Sequence, residues 1–223
     1  MTGGLVSVVI PAMNEEGSIG AVIDDVKKAL ASRPFEVLVV DTNSKDRTRE
    51  IAREKGAVVI EEPRRGYGRA YKTGFEKASG EFIATLDADM TYPAEDIPAL
   101  LQTLEGKQLD FITTNRFARM EKDAMSAKHR VGNWVLSTAT RVLFRVRLRD
   151  SQSGMWVFRK TALAGLVLES DGMAFSEEIK IEAFTKKRAA EVPITYRARV
   201  GEVKLSSWRD GTGNLKYLVK KRF

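Results

Sequence analysis

Three apolar runs in the first half of the chain each end in a polar or acidic cluster, and this pattern most narrows the available folds. Leu5 to Ile10 is followed by Pro11, Met13, Asn14 and Glu15. Glu36 to Val40 runs into Asp41, Thr42, Asn43 and Ser44. Phe82 to Leu86 runs into Asp87, Ala88 and Asp89, and a shorter run, Ala57 to Ile60, lies between the second and third. Short continuous apolar runs bounded by turn residues read as strands buried on both faces. The stretches between them have helical spacing. Ile19, Val22, Ile23, Val26 and Leu30 repeat at i, i+3, i+4, i+7 and i+11. Ser44 can cap a second helix that carries Ile51, Ala52 and Lys55 and stops at Gly56. Tyr67, Ala70, Tyr71, Gly74, Phe75 and Ala78 form one stripe of a third, closed by Gly80. Strands alternating with helices imply parallel pairing through right-handed crossovers. All three polar clusters then fall on one edge of one sheet, where open α/β sheets bind ligands.

The second half is less regular. Leu109 to Thr114, Met155 to Phe158 and Ala189 to Thr195 read as strands; Val131 to Phe144 and Phe175 to Phe184 read as helices. Along the first of these helices Val131, Trp134, Val135, Thr138 and Val142 lie near one side. No repeat, linker or composition break divides the chain. The expectation is a single-domain α/β fold with a mostly parallel central sheet flanked by helices. Residues 1–100 form a nucleotide-binding half, 101–211 an acceptor-binding half, and 212–223 a basic amphipathic tail.

Composition restricts the chemistry. There is no Cys among the 223 residues, and His129 is the only His. Disulfides, thiolate metal sites, His-rich zinc sites and two-histidine mechanisms are all excluded. A metal must be held by carboxylates and phosphates, which points to Mg2+ or Mn2+. No apolar run approaches the roughly 18–20 residues that span a bilayer. Met1 to Gly4 lacks the marks of a signal peptide, so the expected location is cytoplasmic. The formal charge is +7, concentrated in the second half. There Arg141, Arg145, Arg147 and Arg149 sit near Phe144, Leu148 and Trp156, and Lys216, Lys220 and Lys221 sit near Leu215, Leu218 and Val219. Cations interleaved with large apolar residues suit an anionic interface, although a charge run also serves solubility.

Each polar cluster has two readings. Asp87 and Asp89 at a strand end can share one cation, or form a solvated loop or helix cap. Asp41 can accept hydrogen bonds from a ribose hydroxyl or a base N–H, while Ser44 and Asp46 suit capping. Asn14 and Glu15 share those alternatives. Arg64 to Arg69 opens a helix and could receive a diphosphate on its backbone N–H groups and guanidinium groups, or be a solvated turn. Neither a G-x-x-x-x-G-K-[ST] loop nor a G-x-G-x-x-G at the first strand occurs, which counts against kinases, ATPases and dehydrogenases.

Taken together, Val9 to Glu15, Val39 to Thr48, Gly66 to Tyr71 and Asp87 to Asp89 resemble family 2 glycosyltransferases of the GT-A (Rossmann-like) fold. Asp150 to Arg159, Phe175 to Glu178, Glu191 to Ile194 and Arg199 to Leu205 narrow the resemblance to polyprenyl-phosphate sugar synthases, the group that includes dolichyl-phosphate mannose synthase. The resemblance covers about residue 6 to residue 211. It implies that Pro11, Met13, Glu15, Asp41, Asp87, Ala88, Asp89, Arg199 and Lys204 bind the nucleotide sugar. It further implies that Asp87 and Asp89 hold the divalent cation, with Thr91 beside them where relatives often place a Gln. Arg116 and Arg130 match cations that receive the acceptor phosphate. With Asp89, they are the residues expected to carry the transfer. Thr42 and Val203 also depart from the family pattern.

The implied activity is inverting transfer of a hexose from a nucleotide sugar, GDP-mannose first, to dolichyl or polyprenyl phosphate. UDP-glucose and UDP-N-acetylglucosamine are the rival donors. A lipid phosphate is already anionic at neutral pH, so no histidine base is needed. Expected partners are the donor, the lipid phosphate and an anionic membrane surface reached peripherally from the cytoplasmic side. Nucleic acid is not expected, and the oligomeric state is open. A nucleotidyltransferase would also use paired carboxylates and a metal, but would release diphosphate. A basic RNA- or membrane-binding module would have no need of Asp87.

Overall fold

The computed structural model describes residues 3–201 and 207–223, with only the backbone of 207–210. In chain order the elements are β1 (Val6–Ala12), α1 (Ile19–Ala29), β2 (Phe35–Asp41), α2 (Thr48–Glu54), β3 (Val58–Glu61), α3 (Tyr67–Lys77) and β4 (Phe82–Thr85). They continue with α4 (Ile97–Gly106), β5 (Phe111–Met120), α5 (Ala127–Phe144), β6 (Trp156–Arg159), α6 (Phe175–Lys186), β7 (Ala189–Tyr196) and α7 (Ser207–Arg222), with short 3-10 turns before α4 and after β6.

The seven strands form one sheet in the order β3-β2-β1-β4-β6-β5-β7. β1 pairs in parallel with β2 and β4, β2 with β3, and β5 with β7. β6 runs antiparallel to both neighbours. The chain winds outward from β1 through β2 to β3, then returns to the other side of β1 as β4. The switch point therefore lies between β1 and β4. In register, Ala12 stands beside Asp41 and Val9 beside Thr85, so the polar clusters after these strands meet at one edge.

Strand side chains alternate between two apolar layers. Val6, Val8 and Ile10 of β1 join Val37 and Val39 of β2 against α1 and α4. On the opposite face, Val9, Leu38, Val40 and Ile83 pack with α3 and with Phe175 and Ile179 of α6. A smaller cluster of Leu136, Ile181 and Leu218 joins α5, α6 and α7.

The expected strands and helices of the first half are all present. α4 lies outside the elements expected above, although Ile97, Leu100, Leu101 and Leu104 repeat at helical spacing and are all buried. β5 extends to Met120, past the expected end at Thr114, with an irregularity against β7 between Asn115 and Arg119. Ser44 does not cap α2. Its hydroxyl bonds Asp41 and accepts the Asn14 N–H, while Asp46 accepts the Thr48 N–H and hydroxyl at the helix start. The 212–223 tail is continuous with α7, a helix packed against α5 and α6. Leu218 is wholly buried, and Lys221 turns inward to Glu178 and Glu182 at 3.4 and 3.1 Å.

Candidate active site

The sheet edge beyond β1, β2 and β4 is shaped by three left-handed residues that are not glycine: Asn14, Asn43 and Met90. Asparagine adopts this conformation more readily than most residues, and here both side chains are fixed by bonds to neighbouring loops. Asn14 accepts the Lys45 N–H at 2.7 Å, and Asn43 donates to the Pro63 carbonyl at 2.8 Å. Met90 has no such compensation. Its conformation turns the chain between Asp89 and Thr91, and residues held in such regions cluster at functional sites.

These turns border a cleft of about 320 Å³. Pro11, Ala12, Met13, Glu15 and Thr42 line it from β1 and β2, and Asp87, Ala88, Asp89 and Tyr92 from the segment after β4. Arg65, Gly66, Tyr67, Arg116, Gln152, Met173, Ser176, Tyr196 and Arg199 close the other sides. Gly66 has φ +151, and a Cβ there would lie 2.2 Å from the Asp171 carbonyl, so only glycine fits. Gly154 is restricted by side chains alone. A Cβ would meet the Tyr67 hydroxyl at 2.4 Å and Asp87 Oδ1 at 3.3 Å.

Asp87 and Asp89 share this cleft but have different surroundings. Asp89 is almost wholly buried. Its Oδ1 accepts the Thr91 N–H at 3.1 Å and hydroxyl at 2.6 Å, and its Oδ2 pairs with Arg199 at 2.6 Å. Asp87 lies on the wall, with the Tyr67 hydroxyl 3.5 Å from Oδ1. Burial, then the neighbouring Asp89 charge, push the Asp87 carboxyl up to about 7 against the pull of Arg199 and Arg116. Two crowded carboxylates with hard oxygen donors suit a divalent cation. No cluster of three His, Cys, Asp or Glu that could hold a metal occurs among the described residues. Any remaining ligands would therefore come from the bound donor or water.

Arg116 lies on the cleft wall, yet its guanidinium is clamped by Asp150. Nε is 2.8 Å from Oδ2 and Nη2 2.9 Å from Oδ1, both partners are buried, and the Tyr196 ring stacks beneath at 5.3 Å. Burial opposes the charge, but Asp150 holds the Arg116 pKa well above its ordinary value. The segment carrying Asp150 is pinned throughout. The Gly154 N–H donates to Tyr92 at 2.6 Å, the Gly154 carbonyl accepts from Thr85, and the Ser153 carbonyl accepts from Trp156 and Lys180.

Pro11, Met13, Glu15, Asp87, Ala88, Asp89, Arg116 and Arg199 thus come together in one cleft. Three expected site residues stand elsewhere. Asp41 is buried behind the cleft, bonded to Ser44 and 3.7 Å from Arg49; its neighbour Thr42 reaches the cleft instead. Thr91 faces Asp89 rather than the open space. Arg130 is exposed on α5, away from the cleft lining. Lys204 lies outside the described residues. The basic loop before α3 is mostly committed to internal bonds. Glu62 accepts from Arg64, Arg69 and Thr73, and the N–H groups of Gly68 and Arg69 bond the carbonyls of Gly172 and Asp171. Only Arg65, Gly66 and Tyr67 of that loop reach the cleft. Asp150, Gln152, Ser176, Tyr92 and Tyr196 were not expected as site residues. The first three lie within or beside the Asp150–Arg159 and Phe175–Glu178 motifs, which was the available signal.

A second cavity, an apolar groove of about 670 Å³, lies between α5 and α7. Val131, Val135, Leu136 and Leu215 line it, with Lys128, His129 and Asn214, and it meets the cleft at Gln152 and Met173.

Residues 7–166 match the model of the family described as glycosyl transferase family 2. The chain belongs to this family and is a glycosyltransferase. It is 39% identical over 218 residues to the low-salt glycan biosynthesis hexosyltransferase of Haloferax volcanii, covering 96% of this chain and 52% of that protein. It is 34% identical to the dolichyl-phosphate hexose transferase of the same organism, covering 96% of this chain and 92% of the relative. A dolichol-phosphate mannosyltransferase from Pyrococcus furiosus is 30% identical over 217 residues, covering 90% of this chain and 59% of the relative. The chain therefore spans about half of the first relative, nearly all of the second and under two thirds of the third. Among solved structures, glucosyl-3-phosphoglycerate synthase from Mycobacterium tuberculosis with Mn2+, UDP and glucosyl-3-phosphoglycerate superposes with a TM-score of 0.76. The identity is 20%, over 99% of this chain and 80% of that one. The fold is that of the GT-A glycosyltransferases.

Proposed function

We propose that this enzyme transfers a hexose from a nucleotide sugar to the phosphate of a polyprenyl lipid. One observation carries the reading: the cleft at the sheet's switch point and the apolar groove between α5 and α7 share two lining residues, Gln152 and Met173. A sugar nucleotide suits the first and an isoprenoid chain the second, and the acceptor phosphate would sit where they meet. The names of the Haloferax and Pyrococcus relatives point the same way.

In this reading Pro11, Met13, Glu15 and Thr42 hold the nucleotide. Asp87 and Asp89 hold Mg2+ or Mn2+, which when bound would offset the charge growing on the leaving nucleoside diphosphate. Thr91 orients Asp89. Arg199, now paired with Asp89, stands within the same cleft as the diphosphate and can transfer its charge there. Asp150 keeps the Arg116 guanidinium fixed and charged on the wall facing the acceptor phosphate, screening repulsion between two anionic groups. The lipid phosphate needs no base, and direct attack on the anomeric carbon inverts it.

No helix among the described residues is long and apolar enough to cross a membrane. The enzyme would meet its lipid at an anionic surface through α5 and α7. Val131, Trp134, Val135 and Val142 are exposed on α5, and Leu215 and Val219 lie on α7 among the exposed Lys216, Lys220 and Arg222.

The deciding experiment offers radiolabelled GDP-mannose, UDP-glucose and UDP-N-acetylglucosamine with polyprenyl phosphate and Mg2+ or Mn2+. Label entering the organic phase identifies the donor, with GDP-mannose expected first. If no nucleotide sugar labels the lipid, the proposal is wrong.

A further inference from the structure

The two residues shared by the cleft and the groove differ in kind: Met173 is apolar, whereas Gln152 has an amide hydrogen-bonded through both its nitrogen and its oxygen. Its Nε2 donates to Glu177 Oε1 at 2.5 Å and to Ser151 Oγ at 2.9 Å. Its Oε1 accepts from Asn214 Nδ2 at 3.1 Å. Its backbone N–H donates at 3.1 Å to Asp150 Oδ1, the same oxygen that holds Arg116 Nη2. One residue therefore joins α7, α6 and the wall of the cleft.

Asn214 is the unexpected partner. It is 5% exposed on α7, within a groove whose wall includes Val131, Val135, Leu136 and Leu215. An amide buried on an apolar wall costs desolvation that an apolar side chain would avoid. Its hydrogen bond does what an apolar side chain cannot: it fixes the position of α7 relative to the segment that carries Asp150. Glu177, on the other side of Gln152, is fully buried, and its second oxygen has no hydrogen-bond partner among the described residues. Gln152 is thus the side chain holding that carboxyl in place, and it has little freedom to turn elsewhere.

We propose that the Asn214–Gln152 hydrogen bond is a positioning contact that aligns the groove with the cleft, so that a long isoprenoid chain seated between α5 and α7 brings its phosphate to the Arg116 wall. This rests on the reading that the groove carries the lipid. A phosphate on a short alkyl chain does not fill the groove, and gains nothing from the contact. Gln152 and Asn214 therefore set the preference for long acceptors over short ones.

The test compares steady-state kinetics with a long polyprenyl phosphate and with geranyl phosphate, using the donor identified above. Asn214→Leu keeps the side-chain size and removes the donor. Its KM for the long acceptor should rise about tenfold, on the order of one buried hydrogen bond. Its KM for geranyl phosphate and for the nucleotide sugar should stay within about twofold, with kcat little changed. Asn214→Ser, whose hydroxyl is too short to reach Gln152, should lose the preference as the Leu variant does, and it carries the measurement if the Leu variant does not fold. Equal losses on both acceptors would reduce the contact to a structural one, and an unchanged preference would overturn the proposal outright. If the parent enzyme labels neither acceptor with any nucleotide sugar, the functional reading falls and this proposal falls with it. If the parent labels both and the variant keeps its preference, this proposal alone fails.

Discussion

Helices α1 and α6 have 11 and 12 residues and treat their charges in opposite ways. α1 buries Ile19, Val22, Ile23 and Val26 and exposes its lysines, as a helix lying on one sheet face must. α6 buries nine consecutive residues, Phe175 to Ala183, with Glu177, Glu178, Lys180 and Glu182 among them. These charges are fastened to backbone and neighbours. Glu178 accepts the N–H groups of Glu169 and Ser170 at 2.9 Å, as well as the Tyr217 hydroxyl. Glu182 accepts the Val167 N–H, and Lys180 donates to the Ser153 carbonyl at 2.6 Å. α5 completes the inversion by exposing Val131, Trp134 and Val142. Both halves have an apolar core, which in the second half includes Phe111, Trp156, Phe158, Phe175 and Ile179. What sets the second half apart is the charge that α6 buries beside that core and the apolar side chains that α5 leaves outside.

The strongest way to break this contrast is to remove a buried charge on one side and an exposed one on the other. Asp150→Ala leaves Arg116 buried without its partner, which costs about 3–5 kcal/mol. Glu50→Ala removes an exposed partner of Arg47 on α2, where both side chains are about two-thirds exposed, and should leave stability almost unchanged. Urea unfolding measures both. Similar losses would mean that the two halves are not stabilised differently.

A second test separates chemistry from stability within the cleft. Asp89→Ala should lower sugar transfer by about 10²–10³-fold or more. The variant should still fold with a lowered Tm, because Thr91 loses the acceptor of its buried N–H and hydroxyl while the freed Arg199, one-quarter exposed, can reach water. Full activity in this variant would remove Asp89 from the mechanism.

The same contrast explains what could be read from the residues alone. Strand ends such as Asp41 and Asp87 follow apolar runs, so their convergence on one edge follows from parallel pairing and needs no side-chain detail. Which of them faces the cleft depends on a single rotation. Asp41 turns inward to Ser44 while Thr42 turns outward, and no periodicity records that choice. In the second half periodicity misleads more deeply. The stripe Val131, Trp134, Val135 and Val142 has core spacing yet lies outside, and α6 has no apolar face because every face is covered. The clamp of Arg116 by Asp150 joins residues 34 apart through tertiary contact alone. The helical spacing of Ile97, Leu100, Leu101 and Leu104 was a signal for α4, which was nevertheless not among the expected elements.

Glu177 sharpens the contrast through pH. Burial raises its carboxyl from 4.5 to about 8, against the opposing pulls of Lys180 and the Gln152 hydrogen bond. Between these values the folded protein keeps a proton that the unfolded chain has lost. The stability from this group is full below about pH 4.5 and is lost as pH rises through 8. Glu177→Gln removes that loss and keeps an acceptor for Gln152. Lys180, lowered by burial to about 7, contributes the opposite slope in both proteins. The variant's Tm should therefore gain more over the parent at pH 9 than at pH 5. A constant offset across that range would show that Glu177 titrates normally in the fold.

The smallest effect on stability tests the outer face. Trp134 and Val142 are 62% and 69% exposed, so they gain little from folding, and a polar replacement should shift stability by no more than about 0.5 kcal/mol. An exposed tryptophan on a helix flanked by cations does, however, suit the boundary of a lipid surface, where its ring is partly buried and its N–H stays wet. The double variant Trp134→Ser with Val142→Ser should keep the parent's Tm and its turnover of geranyl phosphate dispersed in detergent. Its recovery with anionic liposomes in a flotation gradient should fall several-fold. Deleting 213–223 is a poorer test of the same surface, because Leu218 and Lys221 belong to the packing of α5 and α6, and their loss would unseat both helices. If the double Ser variant floats as well as the parent, the exposed stripe is not what holds this enzyme to a membrane. The exposure of apolar side chains on α5 would then need another cause.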